Sequence, residues 1–482
     1  MKKIKLTAIL LIVFSVSLIA QTKMDALRYS QITFGGTARY MGTGGAFGAL
    51  GADFSTLSVN PAGIGLYKSS EFTFTPSIFV GKTESKFNNG LGEDIKYNFN
   101  FSNIGLVMNF ETNKKGNSWK SIQFGFGINR LGNFNNRTII SGSNTQSSLM
   151  DDYLVKASGN EYDALDPFDT ELAWNTWLID TLGGSNKYTS LVPAGGIKQT
   201  KEITTSGSMN EFVITLGGNY SDKLYIAGTI GIPYINYKEH SLYTEEDNAD
   251  TIADFHKFNV NDELETSGTG INVKFGMIFR ATDWVRIGAA VHSPTFFTLN
   301  DNYSREIKSY FDNGQTYTSS SPNGEYEYKL TTPMRIIGSI AFIIGKYGLI
   351  SADYEYIDYA DARFHSSDKY LSSYSFSDVN NDIIDTYNTQ QNIRVGGEIN
   401  LSPFKIRSGY ALYGSPFKSG LNDLERTSYT FGLGLREKNY FIDLAYVYTE
   451  YSEDYYLYSS VGSAATLKNI SSNFLLTLGV RF

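Results

Sequence analysis

Arginine is the residue with the most chemistry to offer in this sequence. Arg280, Arg286, Arg335, Arg394, Arg407, Arg436 and Arg481 recur on the polar parity of alternating segments, with Asp353, Glu355, Glu398 and Asp443 as candidate partners. A guanidinium is a permanent cation carrying a planar fork of donors. Such a row can attract a carboxylate head group, or it can close on its acidic neighbours as a salt-bridge network that stiffens a wall. The network is the favoured reading, and neither reading is catalysis.

The remaining reactive residues do not assemble. Four histidines, His240, His256, His292 and His365, lack paired metal spacing, and no serine sits in an elbow motif. His292 alone falls on the polar parity, where an imidazole is expected to be a hydrogen-bonded wall residue. Asp247, Asp250, Asp254, Asp262 and Glu263 could take calcium, with a solvated acidic loop as the simpler reading. No enzyme, metal or cofactor is implied; a lipase whose serine and histidine meet only in the fold is the one catalytic alternative.

Strands must position these side chains. From residue 69 the pattern has period two, and it parses into about fourteen segments near 70–82, 97–111, 119–134, 209–220, 224–240, 265–281, 285–300, 326–344, 348–362, 388–401, 404–416, 427–437, 440–455 and 470–482. A tilted membrane strand needs ~10 residues. Turns such as Ser221-Asp222-Lys223, Thr282-Asp283, Gly345-Lys346 and Lys438-Asn439 alternate with polar stretches of ten or more residues. That is the turn-and-loop rhythm of an outer-membrane barrel. In the last segment Phe474, Leu476, Leu478, Val480 and Phe482 share the face expected to meet lipid, opposite Asn473, Thr477, Gly479 and Arg481. Outward Ile393, Val395, Ile399 and Leu401 and outward Ile442, Leu444, Tyr446 and Tyr448 follow the same rule. A soluble sandwich would alternate too, but would bury the apolar face.

Composition agrees with this. Tyr 34, Phe 32 and Gly 46 stand against Pro 10, and cysteine is absent, so disulfides and thiolate sites are excluded. Mean hydropathy is −0.23, as expected when lumen and lipid faces cancel. Residues 1–20 have a basic start, an apolar core from Leu6 to Ile19 and Ala20 before Gln21, which predicts a cleaved signal peptide; a retained anchor is the alternative. The net charge of −8 becomes −11 without Lys2, Lys3 and Lys5, which disfavours nucleic acid.

Residues 21–68 are glycine-dense and weakly apolar, too thin a core for a free domain. Arg39-Tyr40-Met41-Gly42 through Gly44-Gly45-Ala46, Asp53, Ser55-Thr56-Leu57 and Asn60-Pro61-Ala62-Gly63 resemble the N-terminal hatch of the FadL family, outer-membrane channels for long-chain fatty acids and aromatic hydrocarbons. Thr332-Pro333-Met334-Arg335 with Ala352-Asp353-Tyr354-Glu355-Tyr356 is similar to a second family block, and Arg394-Val395-Gly396-Gly397-Glu398 with Arg407-Ser408-Gly409-Tyr410 to a third. Residues 135–265 match poorly.

The resemblance implies a hatch, or plug, over 21–68 with Asn60, Pro61, Ala62 and Gly63 as its motif, inside a barrel over 69–482. Phe34, Met41, Phe47, Phe54 and Leu57 become candidate ligand contacts in the hatch. The 135–208 stretch reads as a long extracellular loop with helices, one over 148–158 and one from an Asp166-Pro167 start to Gly183-Gly184. Phe168, Leu172, Trp174, Trp177 and Leu178 would give the second helix an apolar groove for an acyl chain, or a cap on the barrel rim.

The sequence therefore predicts an all-β, about fourteen-stranded antiparallel transmembrane barrel in the bacterial outer membrane. Its expected role is passive uptake of hydrophobic compounds as a monomer among outer-membrane lipids. Phe482 is the expected signal to the barrel-insertion machinery. A FadL-like barrel serving protein secretion is the alternative, and a polar porin a third.

Overall fold

The computed structural model describes residues 21–33, 35–112, 118–144, 146–184, 186–193, 195–367 and 375–482. The expected signal segment, residues 1–20, and Phe34 lie outside the described residues. No helix among them is long and apolar enough to cross a membrane.

Alternating aromatic and β-branched residues favour a pleated surface with two unlike faces. Fourteen staves form that surface as one closed antiparallel barrel. The first is β1 (Glu71–Phe87), then β2 (Gly90–Glu111), then β3 (Trp119–Asn133) continued by β4 (Asn136–Asn144). Ile197–Tyr220, Leu224–Glu246 and Phe255–Arg280 follow, then Val285–His292 continued by Phe296–Phe311. Gly324–Thr331 with Arg335–Ile344 and Gly348–Asp358 with Arg363–Ser366 make the eighth and ninth staves. Thr389–Leu401, Phe404–Tyr413, Arg426–Arg436, Tyr440–Tyr455 and Ala465–Arg481 complete the ring. Closure comes from β1 on the last strand, Glu71↔Arg481 through Lys86↔Thr466.

The faces follow the parity of the sequence. Phe474, Leu478 and Val480 are exposed on the outside, whereas Leu475 and Thr477 are buried inside. Ile393, Val395, Ile442 and Leu444 are likewise exposed, and Arg394 and Asp443 are buried. Connections at one end are tight. Ser221 and Asp222 both take positive φ, 55° and 56°, the geometry of a primed hairpin turn, and the Asn219 side chain accepts from Asp222 N at 2.9 Å.

Several expectations need correcting. The strands read at 209–220 and 265–281 begin at Ile197 and Phe255, because Lys198, Lys201 and Glu202 or Glu263 and Glu265 make the extensions polar and loop-like in sequence. Above the hydrocarbon band both faces of a ladder can be wet, so polarity there does not end a strand. The segments 285–300 and 326–344 each break at a proline, Pro294 and Pro333, which cannot donate to the ladder.

The outer loop forms its two helices only in part as read. Two helices lie in the N-terminal segment, α1 (Lys23–Ser30) and α2 (Ala38–Gly42), so the loop helices are α3 (Leu149–Ala157) and α4 (Thr170–Asn175). Ser148 and Asp151 form a capping box on α3. The second helix is shorter than expected and its N-cap is Asp169, since the Asp166 carboxylate accepts Phe168 N at 2.8 Å instead. It ends at Asn175 because Thr176 Oγ1 donates back to Leu172 O at 2.7 Å and Trp177 turns to φ 60°. Ile179–Thr181 then pairs with Tyr188–Ser190.

Outward Leu444 sits on a strand flanked by ladders on both sides. Leu444→Arg is expected to cost ~2–4 kcal/mol of barrel stability, measured by denaturant unfolding in liposomes, as for other cations on a lipid face.

Candidate functional site

Residues 21–33 and 35–67 run down the lumen to the start of β1. At the top, Gln21 Nε2 donates to Asp301 at 2.9 Å, and Tyr29 packs edge-on against Phe134 and Tyr237. Arg28 lies 4.3 Å above the Tyr237 ring. Arg335 Nη2 reaches Ser30 O at 2.5 Å. Lower down, Ala38 N donates to Thr477 Oγ1 at 2.7 Å and Thr430 Oγ1 to Gly42 O at 3.1 Å. A side chain on Gly42 would lie 3.0 Å from Gly432 Cα, so this backbone-to-backbone approach requires glycine on both sides.

Asp353 accepts from the amides of Phe47 and Gly48, each at 3.1 Å. Arg286 Nη1 donates to Leu50 O at 2.9 Å, and His292 Nε2 meets Val59 O at 2.6 Å. Asn60 is the staple of the segment. Its Nδ2 donates to Gly48 O at 2.6 Å and to Met277 O of the wall at 3.2 Å, while its Oδ1 caps Ala62 N. Pro61 opens the 3-10 turn Pro61–Leu66, where a missing N–H costs nothing. Ala62 is fully buried, and a Cβ on Gly63 would come within 2.5 Å of Thr56 Oγ1.

Apart from Arg286, the wall arginines singled out in the sequence form ion pairs, Arg280 with Asp283 and Arg481 with Glu71 each at 2.9 Å. Arg407 lies fully buried between Glu398 at 2.7 Å and Asp443 at 2.6 Å. Arg436 shares Asp443 at 2.6 Å, and Arg335 and Arg394 share Glu355 at 3.0 and 3.1 Å. Arg39 of the N-terminal segment joins them through Glu398 at 3.2 Å. Burial works against the Arg39 charge, but Glu398, Asp53 and Asp443 outweigh it and hold the guanidinium above its ordinary value. Lys274 and Glu211 add a buried pair that also receives Ser58 Oγ at 2.8 Å.

Above this packed zone lies a cavity of about 1160 Å³, bounded by α1, the outer loop and the upper strands. Met41 and Phe168 line it. Phe47, Phe54 and Leu57 do not, being buried against the wall; Phe54 fills the space over Gly105 and Gly127. Leu172 and Leu178 are in the core that joins the loop to the barrel rim through Tyr243, Phe258 and Ile307. Trp174 stacks on Tyr162, and Trp177 is half exposed beside Tyr317. The apolar residues of the loop thus close on a cap rather than on an open groove. Among the described residues no group of His, Asp or Glu is arranged to hold a metal.

The cavity reaches a break in the wall. β2 and β3 are laddered only from Asn103↔Asn129 down to Glu111↔Ser121, so residues 90–101 pair with β1 alone and Ser102 bulges out of that ladder. The cause is local. Asn133 Oδ1 accepts from Asn135 N at 3.0 Å, a turn that ends β3 and sends β4 inward to pair with the strand from Ile197. Near the top the two edges are bridged, by Arg137 and Asp94 at 3.0 Å and by Lys96 Nζ to Thr205 O at 2.7 Å. Between, Asn100, Ser102, Gly132, Asn133 and Asn136 line the cavity at the break, and Phe99 and Phe101 are exposed outside it. Sequence reasoning passed over these residues; the run Gly132-Asn133-Phe134-Asn135-Asn136, turn residues inside a strand pattern, was the signal.

Asp353→Ala removes the acceptor of two hatch amides. It is expected to cost ~1–3 kcal/mol and to speed hydrogen exchange at Phe47 and Gly48, with Asp353→Asn milder because one oxygen acceptor remains.

No protein-family model and no curated protein matches the sequence. Solved structures do. A Pseudomonas aeruginosa FadL homologue is similar over 94% of this chain and 99% of its own, with TM-score 0.56 and 11% identity. The P. putida toluene transporter TodX is similar over 93% and 99%, with TM-score 0.54 and 11% identity. At such identity the likeness is one of fold, and the fold of this chain is that of the FadL-type outer-membrane channels, a closed fourteen-stranded membrane barrel.

Proposed function

We propose that this chain is an outer-membrane channel for passive uptake of hydrophobic compounds, long-chain fatty acids among them. A ligand enters beside the outer loop, where Phe168 meets Tyr303 at 5.1 Å between ring centres, and passes Met41 in the cavity. It then leaves sideways through the break between β2 and β3. The observation that carries this reading is the continuity of the cavity with that break. A route straight down would have to dismantle the hatch contacts at Asp353, Glu398 and Asn60, whereas the lateral route disturbs none of them.

No energy source is required. Each methylene removed from water gains ~0.8 kcal/mol, so a cavity followed by bilayer is a downhill path. The volume exceeds the usual range of about 300–1,000 Å³ for small-molecule pockets, enough for a long chain. Exposed Phe482, the C-terminal residue, is proposed as the insertion signal, and residues 1–20 as the export signal.

Gly132 faces the break with room beside it, its nearest neighbour being Met209 at 3.6 Å from an added Cβ. Gly132→Phe is expected to lower fatty-acid or alkane uptake into proteoliposomes about tenfold while leaving thermal stability near wild type, since it fills space without crowding backbone. Wild-type protein that fails to speed uptake of either ligand would overturn the transport reading.

A further inference from the structure

The cavity is a poor match to a bare hydrocarbon. Seven basic and seven acidic side chains line it, so its formal charges cancel. Carboxamides and hydroxyls crowd its lateral mouth, Asn100 and Ser102 on one edge and Asn133 and Asn136 on the other. Several of these groups bond within the wall, Asn100 Oδ1 accepting from Ser77 at 2.6 Å and Asn136 Nδ2 donating to Asn469 at 3.3 Å, so the rim is a polar surface that offers a methylene chain little apolar contact. Interleaved with them are half-buried rings, Phe134, Phe168, Tyr303 and Tyr451. Aromatic faces pack on the C–H face of a sugar ring, and planar polar groups pair with its adjacent hydroxyls. With charge balanced, the field selects neither an anion nor a cation.

Arg130 points the same way. It lines the cavity on the last turn of ladder before β3 breaks, where the register shifts between Arg130 and Gly132. Its Nε is buried without a hydrogen-bond partner, and it forms no ion pair among the described residues. Arg335, Arg394, Arg407 and Arg436 below it all hold carboxylates, whereas Arg426, which also lines the cavity with an unpartnered Nε, lies 4.6 Å over the Tyr451 ring. This half-buried guanidinium, beside carboxamides and rings, keeps a buried donor that the fold does not use.

We infer that the ligand is an amphiphile with a neutral, multiply hydroxylated head group, such as a single glycoside, seated on Arg130 and the carboxamide rim. The inference rests on the uptake reading, since it concerns the same cavity. It narrows the substrate class from hydrophobic compounds in general to polyol-headed amphiphiles.

Octyl glucoside, octanoate and octanol each have an eight-carbon chain, the carboxyl carbon counted in octanoate, and differ chiefly in the head. They are titrated calorimetrically into the full chain held in amphipol, with protein-free amphipol as blank. The glucoside is expected to bind about tenfold tighter than the other two, the margin a site built for hydroxyls gives. Arg130→Met abolishes that margin and leaves octanol unchanged; Arg130→Lys restores little, because a point charge lacks the fork. Tyr303→Leu gives the same test should the arginine variants fail to migrate as folded barrels. Octanoate binding tightest, with Arg130→Lys equal to wild type, overturns the inference in favour of an anion site. Equal binding of all three overturns it while leaving the uptake reading intact, and binding of none overturns both.

Discussion

In hydrocarbon a backbone N–H or C=O left without a partner costs several kcal/mol, and this constraint shapes everything else in the molecule. A strand pattern of this length can satisfy it only by closing on itself, and β1 meets the last strand over fourteen residue pairs from Glu71↔Arg481 to Lys86↔Thr466. Closure at fourteen staves leaves a lumen too wide for wall side chains alone to fill. The N-terminal segment fills its lower half, and its irregular backbone is tolerated there because protein rather than lipid surrounds it.

That segment is held by apolar packing, as of Phe54 and Leu57, and by a polar network. Buried charges are costly unless paired with good geometry, and Arg407 with its two carboxylates, or Arg335 and Arg394 about Glu355, meet that condition inside the wall. The same network then extends inward: Asp353 takes two hatch amides, Glu398 takes Arg39, and Arg286 takes a hatch carbonyl. Wall stiffness and hatch position are therefore one system. The ladder between neighbouring staves lapses along the upper edge of β2, and residues on both sides of that lapse line the cavity.

Much of the barrel was legible in the sequence because two-residue periodicity survives wherever one face meets lipid. Leu444 against Asp443, or Ile393 against Arg394, can be assigned by parity alone. The rule fades where both faces are wet, which is why Lys198 to Glu202 read as loop although they extend a strand. The contacts of the N-terminal segment were not legible: nothing local says that Phe54 would lie over Gly105 and Gly127 or that Asn60 would reach Met277 O. The loop was least legible. Phe168, Leu172, Trp174, Trp177 and Leu178 have the composition of a ligand groove, yet burial of Leu172 and Leu178 in a shared core depends on strand extensions far away in the chain. The break at Asn133 to Asn136 went unread, because the meaning of those turn residues required knowing which strands lay on either side.

The account stands or falls on the path a ligand takes out of the cavity. A diazirine-bearing alkyl ligand, activated in proteoliposomes and mapped by mass spectrometry, reports that path directly. Labels on Asn100, Ser102, Gly132 and Asn133 are the predicted result. Labels confined to residues 60–67 and the strand ends around Gly218 and Tyr225, with none at the break, would show passage through the hatch and contradict the lateral route.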